Sequence, residues 1–98
     1  MLAAEKILSV LQSHQAELRG LGVKRLGLFG SAARGETTEA SDLDFLVEFD
    51  RKSFDAYMDL KEFLEKLFGR RVDLVLAETV KPQLRSRILA ETVYASGL

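Results

Sequence analysis

The sequence predicts an α/β fold in which a small β-sheet is covered by helices. Short apolar segments alternate with longer segments of helical spacing, in the order α-β-β-α-β-α. Because three neighbouring strands expose apolar faces, helices must cover at least one side of the sheet. We assign strands to residues 23–29, 43–49 and 71–77, and helices to residues 2–19, 53–68 and from Pro82 toward Val93.

Length and composition indicate a single domain, residues 1–98. The apolar share of 47% suffices for one packed core, and the charged share of 30% gives no sign of disorder. A net charge of −1 argues against direct nucleic-acid binding, which normally shows a strong basic excess.

Cysteine usage and hydropathy bear on the compartment. The chain contains no cysteine, which excludes disulfides and thiolate metal sites. Residues 1–11 lack the apolar region of a signal peptide. No apolar run approaches the ~20 residues of a membrane span. We therefore expect a cytoplasmic protein that does not contact the membrane.

The predicted helices rest on spacing and on their end signals. Apolar residues of the first helix recur at Ile7, Leu8, Leu11 and Leu18, before Gly20 and Gly22 end it. The second helix ends at Gly69, and its candidates for burial are Phe54, Tyr57, Met58, Leu60, Leu64, Leu67 and Phe68. Pro82 suits the first turn of the last helix, where its missing N–H costs nothing, and Leu84, Ile88 and Leu89 follow.

Two acidic residues mark the start of the second strand. Side chains alternate across a strand, so Asp42 and Asp44 point to the same face with Cα atoms ~6.5–7 Å apart. On the opposite face, we expect a buried row of Leu43, Phe45, Val47 and Phe49. The spacing would let both carboxylates share one metal ion or bridge two.

A third acid, Asp73, lies in the apolar third strand, where an aspartate is costly to bury unless it is paired or bound to metal. If the third strand lies beside the second, Asp73 joins Asp42 and Asp44. Three hard oxygen donors without histidine or cysteine suit Mg²⁺ or Mn²⁺. Two such ions ~3.5–4 Å apart could activate an attacking oxygen and neutralise a leaving pyrophosphate.

The preceding loop has the composition of a phosphate-binding turn. Gly30 and Gly35 let the backbone approach a phosphate, and Ser31 can donate its hydroxyl. Arg34 is either a charge clamp for the phosphates or an ion-pair partner of Glu36 or Glu39, and the sequence leaves both open.

Gly30-Ser31 and Arg34-Gly35, followed by Ser41-Asp42-Leu43-Asp44, resemble the signature of the DNA polymerase β nucleotidyltransferase superfamily. The branch that the chain resembles is that of the minimal nucleotidyltransferases, or MNT proteins. The resemblance includes Asp73 and covers roughly residues 20–95. It implies a polymerase β palm-like nucleotidyltransferase fold, with a small mixed sheet of three or more strands packed against helices.

The resemblance also implies roles for the motif residues. Gly30 and Ser31 would hold the triphosphate of a nucleotide. Asp42 and Asp44 would bind both metal ions. Asp73 would complete the metal site and help to deprotonate the acceptor hydroxyl.

MNT proteins are commonly antitoxins of HEPN-domain ribonuclease toxins, which they silence by adding AMP to a tyrosine hydroxyl. The resemblance therefore implies a Mg²⁺-dependent adenylyltransferase that uses ATP and acts on a HEPN partner. The alternative is a binding module that neutralises its partner by occlusion without catalysis. A third, weaker hypothesis is nucleotide transfer to antibiotics or other metabolites.

Other readings of individual residues point to no further chemistry. A P-loop is excluded because Glu36 occupies the lysine position. An EF-hand starting at Asp42 would need Gly and Glu where Val47 and Ser53 lie. The interpretation for the remaining polar residues is a packed or rim position for His14, a surface position for Glu48, and helix C-terminal charges for Arg70 and Arg71.

Overall fold

The computed structural model describes residues 3–36, 38 and 41–95. Its helices are α1 (Ala4–Ser13), α2 (Gln15–Gly20), α3 (Gly30–Ala33), α4 (Phe54–Phe68) and α5 (Pro82–Glu91), with a 3₁₀ turn at Ala77–Thr79. Its strands are β1 (Val23–Phe29), β2 (Leu43–Phe49), β3 (Val72–Leu76) and β4 (Val93–Tyr94). Within these ranges, no helix is long and apolar enough to cross a membrane.

The four strands form one mixed sheet in the order β3-β2-β1-β4. β1 pairs antiparallel with both β2 and β4, whereas β2 pairs parallel with β3. In this register Asp44 lies opposite Asp73 on one side and opposite Phe29 on the other. The predicted small mixed sheet is confirmed, and the third strand does lie beside the second.

The hydrophobic core lies on one face of the sheet, between the strands and helices α1, α2 and α4. The helices contribute Ile7, Leu11, Leu18, Leu60 and Leu64, and the strands contribute Leu26, Leu28, Leu43, Phe45 and Val47, all essentially inaccessible to solvent. The predicted alternation in β2 is confirmed, with Phe49 only partly buried.

The opposite face carries Asp44, Leu46 and Glu48, and α5 lies against part of it. A cavity of about 380 Å³ separates this face from α5, with Leu46, Glu48, Ile88 and Tyr94 among its lining residues. Leu46 is nevertheless fully buried. The acids at the start of β2 therefore lie at one end of a face whose other end is separated from α5 by this cavity.

The prediction of a single first helix at residues 2–19 is wrong in one respect. The helix is interrupted at His14, which separates α1 from α2. The Ser13 hydroxyl donates to the Val10 carbonyl at 2.8 Å, and His14 Nδ1 lies 2.8 Å from the same oxygen. Side-chain donors that compete for a helix carbonyl favour such a break. His14 is partly buried and packs edge-on against Phe63, as a packed or rim histidine would.

Helix α4 begins and ends as the sequence predicts. The Ser53 side chain caps it by accepting from the Ala56 N–H at 3.0 Å, and Gly69 follows its last residue. The predicted burial of Phe54 and Met58 is wrong, since they are 77% and 42% exposed. They lie beside the core-facing side of α4, which consists of Tyr57, Leu60, Phe63, Leu64, Leu67 and Phe68.

The last helix is shorter than predicted and is followed by an unexpected strand. Pro82 is in its first turn, as expected, but the helix ends at Glu91. Thr92 Oγ1 donates to the Ile88 carbonyl at 2.7 Å, and Val93 and Tyr94 then pair with β1 as β4. Branched and aromatic side chains favour the extended conformation there. No residue of α5 is fully buried.

Candidate active site

Asp44 and Asp73 form the centre of the site because they lie directly opposite each other on β2 and β3. Neighbouring strands are ~4.8 Å apart, so two side chains at paired positions share one face within contact distance. Two hydrogen bonds to side chains of α4 fix the residues on either side of Asp73. The Val72 N–H donates to Glu65 at 3.1 Å, and the Tyr57 hydroxyl donates to the Leu74 carbonyl at 2.6 Å.

The environment of Asp44 disfavours its charged form. Partial burial, and then the charges of Asp73 and Asp42, raise the pKa of Asp44 from 3.8 to about 6, against a smaller opposing effect of Arg34. A hydrogen bond with Asp73 acts in the same direction. Repulsion among these carboxylates makes a cation a favourable partner at this position.

Gly30 lies in van der Waals contact with the carboxyl of Asp44. Its φ of +73° is in the left-handed region, which glycine adopts without strain. A Cβ at this position would collide with Asp44 Oδ2 and would come within 3.1 Å of its Cγ. Only glycine therefore permits the turn at residues 30–35 to lie against the acid pair.

The turn after β1 is a single helical turn, α3, followed by a reversal at Gly35. The Glu36 N–H donates to the Ser31 carbonyl at 2.8 Å, which closes the turn. Phe29 precedes α3 in extended conformation and has no side-chain acceptor to cap it. The first N–H groups of such a turn are free of intrahelical partners, so they are available to an anion.

Arg34 makes one of the two contacts that the sequence left open and a second that it did not suggest. Its Nε donates to Glu36 Oε1 at 3.2 Å, and its Nη1 donates to Glu91 Oε1 at 3.0 Å. The other proposed partner, Glu39, lies outside the described residues. The charge of Arg34 also acts on Asp44, so the guanidinium lies near the acid pair.

Asp42 precedes β2 and is engaged by an arginine outside the acid pair. Arg71 Nε donates to Asp42 Oδ1 at 3.3 Å, and Arg70 Nη1 donates to the Thr38 carbonyl at 2.8 Å. These arginines therefore contact the segment before β2, a role that their position after α4 does not suggest. The side chains of Asp42 and Arg71 are 44% and 85% exposed, so water weakens this ion pair.

The three predicted acids thus lie in one region, but their side chains do not adopt the geometry of a metal-coordination site. Among residues 3–36, 38 and 41–95, no three acidic, histidine or cysteine side chains meet at coordinating geometry. Asp44 and Asp73 are nevertheless two adjacent hard oxygen donors that repel each other. This pair fits a divalent cation, and Asp42 could join it by leaving Arg71.

The structure tests the expectation for Glu48 and reveals a role for a second glutamate, Glu91. Glu48 forms an ion pair with Arg25 at 3.4 Å, consistent with a surface position beyond the site. Glu91 was not suggested by the sequence. It lies 57 residues from Arg34 and belongs to no motif, so only the three-dimensional structure could reveal the contact.

Comparison with known proteins identifies the class. Residues 5–95 match the family model of the nucleotidyltransferase domain. The chain therefore belongs to the nucleotidyltransferase family, and the predicted enzyme class is confirmed. Within that family it is 45% identical over 96 residues to the protein adenylyltransferase MntA of Thermococcus cleftensis, covering 96% of this chain and 97% of that protein.

Two solved structures share the fold. A candidate minimal nucleotidyltransferase is 35% identical with a TM-score of 0.81, over 94% of this chain and 95% of that one. In the structure of a tri-AMPylated Shewanella oneidensis HEPN toxin in complex with an MNT antitoxin, a matching chain is 19% identical with a TM-score of 0.64. That match covers 93% of this chain and 73% of the other, and it shows similarity of fold alone.

Proposed function

We propose that this chain is a protein adenylyltransferase that transfers AMP from ATP, with Mg²⁺ or Mn²⁺, to a hydroxyl of a HEPN toxin. The observation that carries the proposal is the pairing of Asp44 with Asp73 directly against the Gly30 turn. A carboxylate pair beside a turn whose first N–H groups have no intrahelical partner brings a cation site and a phosphate site together. Nucleotidyl transfer needs both sites next to each other.

The turn at residues 30–35 would bind the triphosphate. N–H groups of the turn and the Ser31 hydroxyl are donors suited to phosphate oxygens, and Gly35 supplies the reversal that closes the turn. Arg34 lies at the end of the same turn, and its guanidinium presents several donors in one plane.

Asp42, Asp44 and Asp73 would hold the metal. A bound divalent cation would offset the negative charge shared by the carboxylates and the triphosphate. Asp42 is held by an exposed arginine, and such an ion pair contributes ~0–1 kcal/mol. Its carboxylate can therefore turn toward the pair at little cost when the nucleotide binds.

The transfer step can be written for this chain's residues. The acceptor hydroxyl oxygen forms a bond to the α-phosphorus, and the bond from that phosphorus to the β-bridging oxygen breaks. Pyrophosphate leaves with the electron pair of that bond, and Asp73 accepts the hydroxyl proton. Asp73 lies exposed on an edge strand, so an acceptor on another protein can approach it from solvent.

The proposed partner follows from the proteins that resemble this chain. MntA of Thermococcus cleftensis is a protein adenylyltransferase, and a protein acceptor fits a site that opens at the sheet edge. The fold neighbour in complex with an AMPylated HEPN toxin motivates the choice of toxin. By analogy with the sequence resemblance, we place the acceptor on a tyrosine hydroxyl.

The test is transfer of label onto a purified HEPN-domain toxin in Mg²⁺. We expect label from α-³²P-ATP on the toxin and none from γ-³²P-ATP, because the γ-phosphate leaves in pyrophosphate. Asp44→Asn should abolish transfer, whereas Glu62→Gln, which removes an exposed carboxylate bonded to Lys66, should leave it unchanged. Toxin neutralised equally well by Asp44→Asn, without label, would instead favour neutralisation by occlusion.

A further inference from the structure

We infer that Glu91 is a positioning residue, which holds the guanidinium of Arg34 in one orientation for binding the triphosphate. The inference rests on the proposed function, because it concerns binding of the same nucleotide. Glu91 is the last residue of α5 and lies far from the signature motif in sequence. It would therefore connect the C-terminal part of the chain with the nucleotide site.

The contact joins a shielded carboxylate to a half-exposed guanidinium. Arg34 Nη1 lies 3.0 Å from Glu91 Oε1, and the two side chains are 45% and 27% exposed. The second partner, Glu36, is 62% exposed and lies on the loop that follows the turn. Both carboxylates raise the pKa of Arg34, Glu36 more than Glu91. Glu91 is the less exposed of the two partners, so water screens its ion pair with Arg34 less.

These two contacts orient Arg34 without using up its donors. A guanidinium has five N–H donors. The contacts within the described part of the chain engage Nε and one N–H of Nη1. The remaining donors are free for phosphate oxygens, so Arg34 can bind a phosphate while Glu91 still holds it.

Glu91 itself is fixed relative to the nucleotide turn through β1. Thr92 bonds back to the Ile88 carbonyl, and Val93 then pairs with Leu28 of β1. Two residues after Leu28, the same strand leads into Gly30. One strand therefore positions both the carboxylate of Glu91 and the turn that carries Arg34.

Removal of the Glu91 carboxylate changes nucleotide affinity in opposite directions if Glu91 orients Arg34 and if it contributes only its negative charge. The carboxylate of Glu91 repels phosphate, so its removal would tighten nucleotide binding if only net charge mattered. If Glu91 acts by orienting Arg34, its removal weakens binding, because the guanidinium must then lose conformational freedom when the nucleotide binds.

The experiment is calorimetric titration of the full chain with ATP in excess Mg²⁺ and without an acceptor. We expect Glu91→Gln to weaken ATP binding about three- to fivefold, the range of one half-shielded ion pair. In an Arg34→Ala background, the same substitution should cause no further loss of affinity, because the carboxylate then only repels the phosphates. Glu91→Asp, with the charge on a shorter side chain, should weaken binding less, and Glu62→Gln should match the wild type.

Two outcomes overturn the inference. Unchanged or tighter binding by Glu91→Gln would show that Glu91 does not position Arg34. An equal loss in both backgrounds would show that Glu91 acts structurally and not through Arg34. If Glu91→Gln fails to fold by thermal melting, Glu91→Asp carries the test in both backgrounds. Wild-type ATP binding without label transfer would refute the proposed function but leave the role of Glu91 standing.

Discussion

At the residue scale, Asp44 carries an electrostatic cost in the metal-free protein. Its pKa is raised from 3.8 to about 6 in the folded chain. Between these two pH values the folded state binds more protons at Asp44 than the unfolded state does, so stability falls as pH rises. The loss is absent below about pH 4, where the carboxyl is protonated in both states, and complete above about pH 6.

Asp44→Asn should therefore stabilise the metal-free protein at pH 7.5 and have little effect at pH 4. The expected gain is on the order of 1 kcal/mol, since solvent screens this half-exposed carboxyl. Thermal melting in EDTA at both pH values measures it. Mg²⁺ should raise the melting temperature of the wild type but not of the variant. A destabilised variant at pH 7.5 would contradict this account of Asp44.

Gly30 combines a left-handed backbone with close approach to Asp44. Gly30→Ala should cost ~1–2 kcal/mol for its left-handed φ and should also displace the Asp44 carboxyl, which abolishes transfer. Gly69→Ala is the matched control, because Gly69 has a φ of +64° but no atom near its would-be Cβ. Urea unfolding should show a similar strain in both variants, while only Gly69→Ala retains transfer. Wild-type transfer by Gly30→Ala would refute the contact.

At the scale of elements, β4 packs so closely against β1 at Gly27 that no side chain fits between the two strands. A Cβ on Gly27 would collide with Thr92 Cγ2 and would lie 3.0 Å from the ring of Tyr94. Arg25 stacks on that ring at 4.1 Å from its centroid. The position of the end of α5, and with it that of Glu91, therefore depends on the absence of a side chain at Gly27.

Gly27→Ala should push β4 away from β1 and destabilise the protein by ~1–3 kcal/mol, as overpacking does. Since β4 carries Glu91 into place, ATP affinity should fall as well. Gly20→Ala is the control, because Gly20 ends a helix with open space around it. Denaturant unfolding and ATP titration of both variants test this. Equal stability of the two would show that β4 adapts without cost.

Several elements could be predicted because their signals are local. The strands at residues 23–29 and 43–49 have the predicted bounds, since apolar runs define both and Gly22 and Gly30 flank the first. β4 could not be predicted, because two residues are too few for a pattern and pairing with β1 decides their conformation. The break at His14 was missed because side-chain bonds to Val10, not spacing, cause it.

At the scale of the whole molecule, the sequence predicted which residues meet but not how they are held. The register of β2 and β3 brings Asp44 and Asp73 together, and the turn places Gly30 against them. The bonds of Arg71 to Asp42 and of Arg34 to Glu91 span long stretches of chain. Such contacts depend on the packing of elements that are distant in sequence, so no sequence motif predicts them.

Adenylyl transfer would require the turn, the acids and the acceptor together, and the mass of the toxin after incubation reports it directly. A HEPN toxin incubated with this chain, ATP and Mg²⁺ should gain whole AMP units, and peptide mapping should place them on tyrosine. The Asp42→Asn/Asp44→Asn variant should bind the toxin and leave its mass unchanged. A toxin of unchanged mass with the wild-type chain, despite a stable complex, would contradict adenylyl transfer and indicate neutralisation by occlusion.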